Sequence, residues 1–180
     1  KQGDLLMAST YLTRTFGTDN SGVYKWTYSF WVKRSKLGSL QTITSPYVDV
    51  NNLGWISFLS SDALEIYDYQ ISNGGYKMRK VTTRLFRDTS AWYHIVVSND
   101  NSVASPDLKI YVNGVQETSF STDTEYDQNK DTLFNKNILN SIGRYPSTGY
   151  FDGSISHFHF IDGTAYDATA FGQYDANGVW

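Results

Sequence analysis

The sequence predicts an all-β protein in which two antiparallel sheets pack as a β-sandwich or jelly roll. Aromatic residues make up 16% of its 180 residues, with 14 Tyr, 10 Phe and 5 Trp, and aromatic side chains favour strands. Short runs of alternating apolar and polar residues recur along the chain with turn residues at close spacing, which is typical of sandwiches. A sustained helical period is missing from the sequence, apart from one predicted helical turn at residues 168–171.

The first half of the chain supplies a strand and a hairpin. Residues 27–34, TYSFWVKR, alternate with a period of two. Residues 55–60, WISFLS, and 63–69, ALEIYDY, are two further strand-like runs. The polar pair between them, Ser61-Asp62, predicts a hairpin turn. The apolar face of the first run consists of Tyr28, Phe30 and Val32.

The middle of the chain supplies a covered strand and a second hairpin. Residues 91–97, AWYHIVV, are apolar on both faces, which predicts a central strand that is covered on both sides. In residues 107–120, DLKIYVNGVQETSF, the pair Asn113-Gly114 lies between two alternating runs. Asn-Gly accepts the positive φ angles of a type I′ turn, so this pair predicts a tight hairpin.

The last third combines an unpatterned stretch with a long strand. Residues 121–137, STDTEYDQNKDTLFNKN, show no period, and a loop this long is functional or mobile. Residues 150–163, YFDGSISHFHFIDG, predict a strand. Its alternation puts Phe158 and Phe160 on one face and Ile155, His157, His159 and Ile161 on the other.

Composition excludes several classes of function. The formal charge is −3 and there is no basic run, which argues against a nucleic-acid partner. The chain has no cysteine, so disulfides and thiolate zinc sites are excluded. The longest apolar run is far shorter than the roughly 20 residues of a spanning helix, and no membrane partner is expected. We expect one domain, residues 1–180, excised from a longer chain because it begins at Lys1 without an initiator Met.

A family resemblance rests on five segments. They are WTYSFWVKR (26–34), RDTSAWYHIVVSND (87–100), LKIYVNG (108–114), IGR (142–144) and YFDGSISHFHFIDG (150–163). In order and spacing they resemble the laminin G-like, concanavalin A-like lectin/glucanase jelly roll, over essentially the whole chain. With the closing IDGTAYDATAFGQYDANGVW, they most resemble the version found in structural proteins of tailed bacteriophages. The resemblance implies the fold but not the ligand, because the superfamily includes lectins, glycosidases, adhesion modules and structural domains.

Packing alone explains most of these motifs. Trp26, Trp31 and Trp92 are each expected to bring a large side chain to the core between the sheets. The pairs Asp152-Gly153 and Asp162-Gly163 suit turns or bulges.

The carboxylates of the chain do not form the pattern that the resemblance would require of an enzyme. Glucanases of this superfamily carry Glu-x-Asp-x-x-Glu on one strand, whereas none of Glu65, Glu117 and Glu125 begins it. Glu65 and Asp68 are three residues apart on a predicted strand, so they face opposite sides and cannot flank one glycosidic bond. We therefore expect no catalytic residues, and a polysaccharide-active glycosidase is the minor alternative.

Two groups of residues are candidate metal ligands. His157 and His159 share a predicted strand face, but no third ligand is identifiable. The stretch 123–131 places acidic and amide residues at alternate positions, and the resembled superfamily often carries calcium near its loops, which makes Ca²⁺ the candidate cofactor. The Gly and Glu that a helix-loop-helix calcium loop needs at its sixth and twelfth positions are missing, so a solvated acidic loop is the alternative. The candidate calcium ligands are Asp123, Glu125 and Asp127.

Candidate carbohydrate-binding residues are aromatic side chains beside polar loop residues, because rings stack on sugar faces while polar groups bind hydroxyls. The stretches 67–76 and 144–150 have this composition, as does the surrounding of Trp55. Tyr is frequent in this chain, so clusters of this composition also arise by chance. The alternative is therefore that these aromatic residues only cap the core and bind no ligand. The candidate ligand-binding residues are Trp55, Tyr67, Tyr69, Tyr76, Arg144, Tyr145 and Tyr150.

Two functional hypotheses follow. In the first, the chain is a non-catalytic binding module of a bacteriophage structural protein, displayed outside the cell on the virion, where it binds host-surface carbohydrate. In the second, it is a structural or decoration domain that contacts neighbouring virion subunits. In the first case several copies, for example in a homo-oligomer, are expected to multiply a weak single-site affinity.

Overall fold

A computed structural model describes residues 10–17, 24–71 and 75–180, with the side chains of Tyr76 and Lys77 left out. Two short 3-10 turns, Leu133–Asn135 and Ala168–Ala170, occur in these residues, and the second confirms the predicted helical turn. The strands are β1 (Leu12–Thr15), β2 (Lys25–Arg34), β3 (Gln41–Asp49), β4 (Asn52–Phe58), β5 (Ala63–Gln70), β6 (Gly75–Leu85), β7 (Tyr93–Asp100), β8 (Lys109–Val112), β9 (Val115–Gln116), β10 (Phe120–Thr124), β11 (Leu139–Ile142) and β12 (Gly153–Asp162).

The strands form two antiparallel sheets, which confirms the predicted β-sandwich. The seven-stranded sheet has the order β1-β11-β3-β4-β5-β6-β10, and the five-stranded sheet has the order β12-β2-β7-β8-β9. The core lies between them and contains every second side chain of the central strands. Full burial of one such side chain contributes about 1.5–3 kcal/mol to folding. Core residues from β2 are Trp26, Tyr28, Phe30 and Val32, and those from the facing sheet include Ile43, Ile56, Phe58, Leu64 and Ile66.

Both predicted hairpins are present. Asp62 has a φ of 70° in the turn between β4 and β5, where its N–H donates to the carbonyl of Leu59 over 2.9 Å. Asn113 and Gly114 have φ angles of 50° and 81° between β8 and β9, as a type I′ turn requires.

No helix among the described residues is long and apolar enough to cross a membrane.

Strand β7 is central in the five-stranded sheet and buried on both faces, as predicted. Its outer face is covered by residues 164–180, which we call the C-terminal strap. The ring of His94 lies between Trp31, at a centroid distance of 4.9 Å, and Trp180 of the strap, at 5.8 Å. The core placement predicted for Trp92 is wrong, because this residue precedes β7 and is 41% exposed. Trp31 packs on the outer face against His94 rather than in the core.

The faces predicted for β12 are wrong in part because the strand contains a bulge. The pairing of β12 with β2 shifts between Ser156 and His159, and His157 has a φ of 47°. The extra residue reverses the alternation, so Ile155 packs against the core on the same side as Phe158. His157 therefore does not continue the face of His159. Instead, its Nδ1 lies 2.7 Å from the hydroxyl of Ser156, while His159 stacks on Phe171.

The stretch 121–137, predicted as a long loop, is largely ordered into the sandwich. Its first residues belong to β10, which pairs with β6 at the end of the seven-stranded sheet. Tyr126 and Phe134 are buried in the core, where the Phe134 ring packs against Trp26 at 4.8 Å. The indole of Trp26 also donates a hydrogen bond to Thr132 over 2.9 Å. Sequence periodicity misses this segment because isolated side chains, rather than an alternating run, fill the core.

Candidate functional site

Five half-buried aromatic rings form a continuous cluster on the outer face of the seven-stranded sheet. Trp55 and Tyr67 stack at a centroid distance of 4.6 Å, and Tyr69 follows Tyr67 at 6.1 Å with nearly parallel planes. Tyr145 is perpendicular to both Trp55, at 5.5 Å, and Tyr47, at 5.8 Å. We call Tyr47, Trp55, Tyr67, Tyr69 and Tyr145 the aromatic ridge.

Strand alternation and register produce the aromatic ridge. Ile56 and Ile66 are cross-strand partners that point into the core, so their neighbours Trp55 and Tyr67, which are also paired, point outward. Tyr67 and Tyr69 are two residues apart on β5 and share its outer face. Stacked pairs of this kind stabilise a sheet beyond their buried area.

Tyr145 reaches the ridge from a loop that is fixed to the sheet. Its N–H and carbonyl exchange two hydrogen bonds of 3.1 Å with Thr148, which closes a tight turn. The base of this loop is held to β3, because the N–H of Gly143 donates to the carbonyl of Ile43 and the carbonyl of Gly149 accepts from Thr42. Burial, together with the nearby hydroxyl of Tyr47, raises the pKa of the Tyr145 phenol. The closed turn and the hydrogen bonds to β3 therefore hold the Tyr145 ring in place before any ligand binds.

A buried carboxylate lies beneath the ridge. Glu65 has a side chain that is only 2% exposed. Its Oε2 accepts a hydrogen bond from the indole Nε1 of Trp55 over 2.7 Å, and its Oε1 accepts from Nε of Arg79 over 2.8 Å. The charge of Glu65 is therefore paired, and its oxygens are directed at two fixed donors. Sequence reasoning considered Glu65 only as a catalytic acid.

Asp68 lies behind the ridge on the core side of β5. Its Oδ2 accepts hydrogen bonds of 2.9 Å from the Tyr126 hydroxyl and the backbone N–H of Leu133, and its Oδ1 accepts from Gln70. Burial raises the pKa of Asp68 to about 6, although these hydrogen bonds lower it in part. Asp68 therefore links β5 to the stretch 121–137 through Tyr126 and Leu133. The sheet separates Asp68 from Glu65.

The structure brings together four of the seven predicted ligand-binding residues: Trp55, Tyr67, Tyr69 and Tyr145. The side chain of Tyr76 lies outside what the structure describes. Sequence reasoning missed Tyr47, which the register of β3 with β4 places opposite Leu53 on the ridge face. Alternation along β3 does not reveal Tyr47, because the register of β3 with β4 shifts between Thr42 and Thr44.

Arg144 and Tyr150 lie apart from the ridge. The guanidinium carbon of Arg144 is 3.4 Å from the ring centroid of Tyr11, and Tyr150 packs against the same ring at 6.4 Å. Tyr11 and Tyr150 line a cleft of about 730 Å³, together with Gln41, Phe151 and Asp152. The predicted stretch 144–150 is therefore divided between two surfaces.

Two of the three predicted calcium ligands, Asp123 and Glu125, contact the ammonium group of Lys80. The Nζ of Lys80, a residue that is 2% exposed, forms ion pairs with Asp123 and Asp107 at 3.1 Å and a shorter one with Glu125. Asp127 is exposed and lies outside these pairs. In the described part of the chain, no three His, Asp or Glu side chains are arranged to hold a metal ion. Burial lowers the Lys80 pKa, but the hydrogen bond and charge of Glu125 and the two aspartates raise it on balance.

The ridge offers a shallow aromatic surface without an available acid–base pair. Glu65 is covered and paired, and Asp68 faces the core. Of the other two glutamates, Glu117 pairs with Arg84 and Glu125 pairs with Lys80. This arrangement can hold the apolar face of a ligand against carbon surface, but it lacks the two facing carboxyl groups of a glycosidase.

Comparisons with known proteins agree with the fold. Residues 8–168 match a laminin G family model described as the concanavalin A-like lectin/glucanases superfamily. No curated protein shows significant sequence similarity to the chain.

Solved structures of low sequence identity share the architecture. Domain 4 of AbnA, a GH43 extracellular arabinanase from Geobacillus stearothermophilus solved with arabinotriose, is 21% identical with a TM-score of 0.58. This match covers 83% of this chain and 66%, just under two thirds, of that one. The CBM40 of the Ruminococcus gnavus IT-sialidase is 10% identical with a TM-score of 0.56 and coverages of 88% and 95%. Mouse laminin alpha1 domains LG4-5 are 10% identical with a TM-score of 0.56 and coverages of 83% and 38%.

Proposed function

Because this chain belongs to the concanavalin A-like lectin/glucanases superfamily, we propose that it is a non-catalytic carbohydrate-binding module whose site is the aromatic ridge. The observation that carries this proposal is the contact chain from Tyr69 through Tyr67 and Trp55 to Tyr145. These rings are half-buried on a sheet face that the core does not use. The arabinanase domain solved with arabinotriose lends support at the level of the fold.

The chemistry of the ridge suits a sugar chain. The C–H faces of a pyranose or furanose are apolar and pack on aromatic carbon, while tyrosine hydroxyls can donate to and accept from sugar hydroxyls. The surface is shallow, so a single site buries little of its ligand and its affinity is expected to be modest. Several copies on one particle would raise the overall affinity by roughly 10² to 10⁴.

The arrangement of the carboxylates supports the proposal that the module is non-catalytic. Retaining and inverting glycosidases need two carboxyl groups about 5 to 9.5 Å apart on either side of the scissile bond. Glu65 is the carboxylate under the ridge, and both its oxygens are bound to Trp55 and Arg79. We therefore expect binding without release of reducing ends.

The test is affinity electrophoresis in gels that contain soluble arabinan, laminarin, xylan, alginate or dextran, with a sialyllactose array beside it. Trp55→Ala and Tyr67→Ala are expected to remove the retardation that the wild-type chain shows. Trp92→Ala is the matched control, because Trp92 is an exposed tryptophan outside the ridge. Equal retardation of all four proteins, or release of reducing sugar by the wild type, would contradict the proposal.

We also propose that the module is displayed outside the cell on a bacteriophage virion, where it binds a host-surface glycan. The support is the resemblance of the sequence motifs, from WTYSFWVKR to the closing segment, to structural proteins of tailed phages. Labelling intact particles with an antibody raised against the chain tests this placement. Particles that remain unlabelled while infected-cell lysate reacts would refute it.

A second candidate function is protein contact with neighbouring virion subunits. The observation that favours it is an apolar tip beside the ridge, formed by Val48, Val50 and Ile71, which are 50%, 70% and 51% exposed. The backbone of Ile71 is hydrogen-bonded to Asn51 at this tip. Val50→Lys would weaken assembly with a virion subunit in this case and leave polysaccharide retardation unchanged.

A further inference from the structure

The aromatic ridge stands on an ion pair, and we propose that Glu65, backed by Arg79, is the positioning residue that fixes the indole of Trp55 for sugar binding. The inference rests on the proposed function for the role of the ridge. The positioning itself is a property of the chain without any sugar. Glu65 acts through Trp55 and does not touch the ligand.

Both oxygens of Glu65 are engaged in a way that defines one orientation of the indole. Oε2 accepts the Trp55 Nε1–H over 2.7 Å, and Oε1 accepts the Arg79 Nε–H over 2.8 Å. Hydrogen bonds to an ionised carboxylate are shorter and stronger than those between neutral groups. The carboxylate is almost fully buried, and a buried charge of this kind is costly to leave without its partners. The pair therefore holds the indole edge down onto the sheet.

Register explains why these three residues meet. Trp55 is paired with Tyr67 across β4 and β5, and Tyr67 is paired with Arg79 across β5 and β6. Glu65 is two residues before Tyr67 on β5 and therefore lies on the same outer face. It consequently contacts a donor from the strand on either side. The Glu65 carboxylate therefore bridges side chains of β4 and β6 beneath the rings.

The hydrogen bond has a consequence for the ligand. An indole has one polar atom, its Nε1–H donor, and in Trp55 Glu65 occupies it. Trp55 therefore presents only carbon surface to a sugar, and hydrogen bonds to sugar hydroxyls must come from other side chains. Replacing Trp55 with Phe should keep part of the binding, whereas loss of Glu65 should disturb the ring position.

The chain contains a matched control pair. Arg84 Nε donates to Oε1 of Glu117, whose side chain is 7% exposed, close to the 2% of Glu65. The two arginines are also alike, with side-chain exposures of 46% and 41%. Arg84 and Arg79 both belong to β6, but Glu117 lies outside the ridge. Removal of Glu117 therefore reproduces the loss of a buried Arg–Glu pair without the loss of a ring anchor.

The first arm of the experiment contains no sugar. In ¹H–¹⁵N spectra the chain gives one indole signal for each of its 5 Trp, and Trp55→Phe assigns that of Trp55. Glu65→Ala is expected to shift the Trp55 signal upfield, away from its hydrogen-bonded position, and to broaden it. Glu65→Gln, which keeps an acceptor, should retain most of the wild-type shift. Glu117→Ala should leave the Trp55 signal in place.

The second arm is a double-mutant cycle measured by electrophoretic retardation in soluble arabinan, or in whichever polysaccharide of the panel above retards the wild type most. Glu65→Ala should weaken binding roughly tenfold, because it removes the acceptor. Glu65→Gln should weaken binding less than about threefold, because it keeps an acceptor, although its neutral hydrogen bond is weaker than the charged one. In a Trp55→Phe background, Glu65→Ala should change binding less than about twofold, because its only route of action is gone. Glu117→Ala should bind as the wild type does.

The outcomes separate the two proposals. An unmoved Trp55 signal in Glu65→Ala, or an equal loss of binding with and without Trp55, overturns the positioning role. If the wild-type chain binds no polysaccharide, the proposed function fails and the first arm alone decides the positioning role. If Glu65→Ala does not fold, Arg79→Gln serves instead, because it removes the donor on Oε1 and should broaden the Trp55 signal.

Discussion

Trp180 donates a hydrogen bond from its indole Nε1 to Nδ1 of His94 over 2.8 Å. An indole N–H can only donate, so Nδ1 must accept and the neutral ring carries its proton on Nε2. That nitrogen lies 3.0 Å from the hydroxyl of Ser29. Burial, with a smaller effect of His159, lowers the pKa of His94 to about 4. The C-terminal strap is therefore docked on a neutral histidine.

Acidification should destabilise the fold through His94. Between its unfolded pKa near 6.5 and its folded pKa of about 4, only the unfolded chain binds the proton, so stability falls as pH falls through this window. The measurement is the Tm from pH 7.5 to pH 4 for the wild type and His94→Gln. The wild type should lose more degrees than the variant, and parallel curves would count against the strap's dependence on a neutral ring.

Asp68 should act in the opposite direction. Its pKa is about 6 in the folded chain, so between about pH 4 and 6 the folded state holds a proton that the unfolded state has lost, and stability falls as pH rises. Relative to Asp68→Asn, the wild type should lose roughly 2 kcal/mol of unfolding free energy between pH 4.5 and pH 7.5. Urea unfolding at pH 4.5 and pH 7.5 measures the difference. A constant gap between the two proteins would refute the prediction.

Lys80 should be replaceable by a metal ion once its ammonium is removed. Its Nζ is surrounded by Asp107, Asp123 and Glu125 and by the carbonyl of Leu108, which are oxygen ligands of the kind that Ca²⁺ prefers. We expect Lys80→Ala to cost about 1–3 kcal/mol, because it leaves Glu125, which is 24% exposed, without its partner, whereas Asp107 and Asp123 are 56% and 49% exposed and can be solvated. Millimolar Ca²⁺ should restore part of this loss, as measured by Tm with CaCl₂ and with EDTA.

The control for this experiment is Arg84→Ala, which leaves the single carboxylate of Glu117 unpaired. One carboxylate cannot supply the six to eight oxygens that Ca²⁺ takes, so Ca²⁺ should not restore this variant. Recovery of both variants would mean that the ion acts by general screening rather than at the vacated position of Lys80.

The cleft beside Tyr150 should contribute less to sugar binding than the ridge does. Tyr150 packs on Tyr11 and lines the cleft, whereas Tyr145 contacts Trp55. Tyr145→Ala should therefore reduce retardation in the polysaccharide gel severalfold, and Tyr150→Ala should not. The reverse order of the two variants would move the site from the sheet face to the cleft.

Local patterns in the sequence predicted the features that depend on neighbours along the chain. Alternation correctly predicted the core face of β2, and Asn113-Gly114 fixed a hairpin. Trp55, Tyr67 and Tyr69 were candidates because aromatic residues beside polar ones have the composition of a sugar-binding surface, and the pairing of β4 with β5 places them on a common face. Tyr47 required the register of β3 as well, and no local signal gives that register.

Features that depend on distant pairing were missed. Lys80 meets Glu125 only because β10 pairs with β6, and neither sequence window reveals the other. Arg144 and Tyr150 follow the direction of a closed turn rather than a strand period, so a shared composition did not put them on one surface with Tyr145. One inserted residue at His157 was enough to invalidate the predicted face of Ile155.

The bulge at His157 also affects how molecules of this protein meet one another. Strand β12 runs for 10 residues along an outer margin of its sheet, and an uninterrupted margin of that length is a template for pairing with another chain. The extra residue at the bulge interrupts the regular hydrogen-bonding pattern of β12 and increases the local twist of the strand. Crowded copies should therefore resist polymerising strand to strand, and the protein should remain soluble at high concentration.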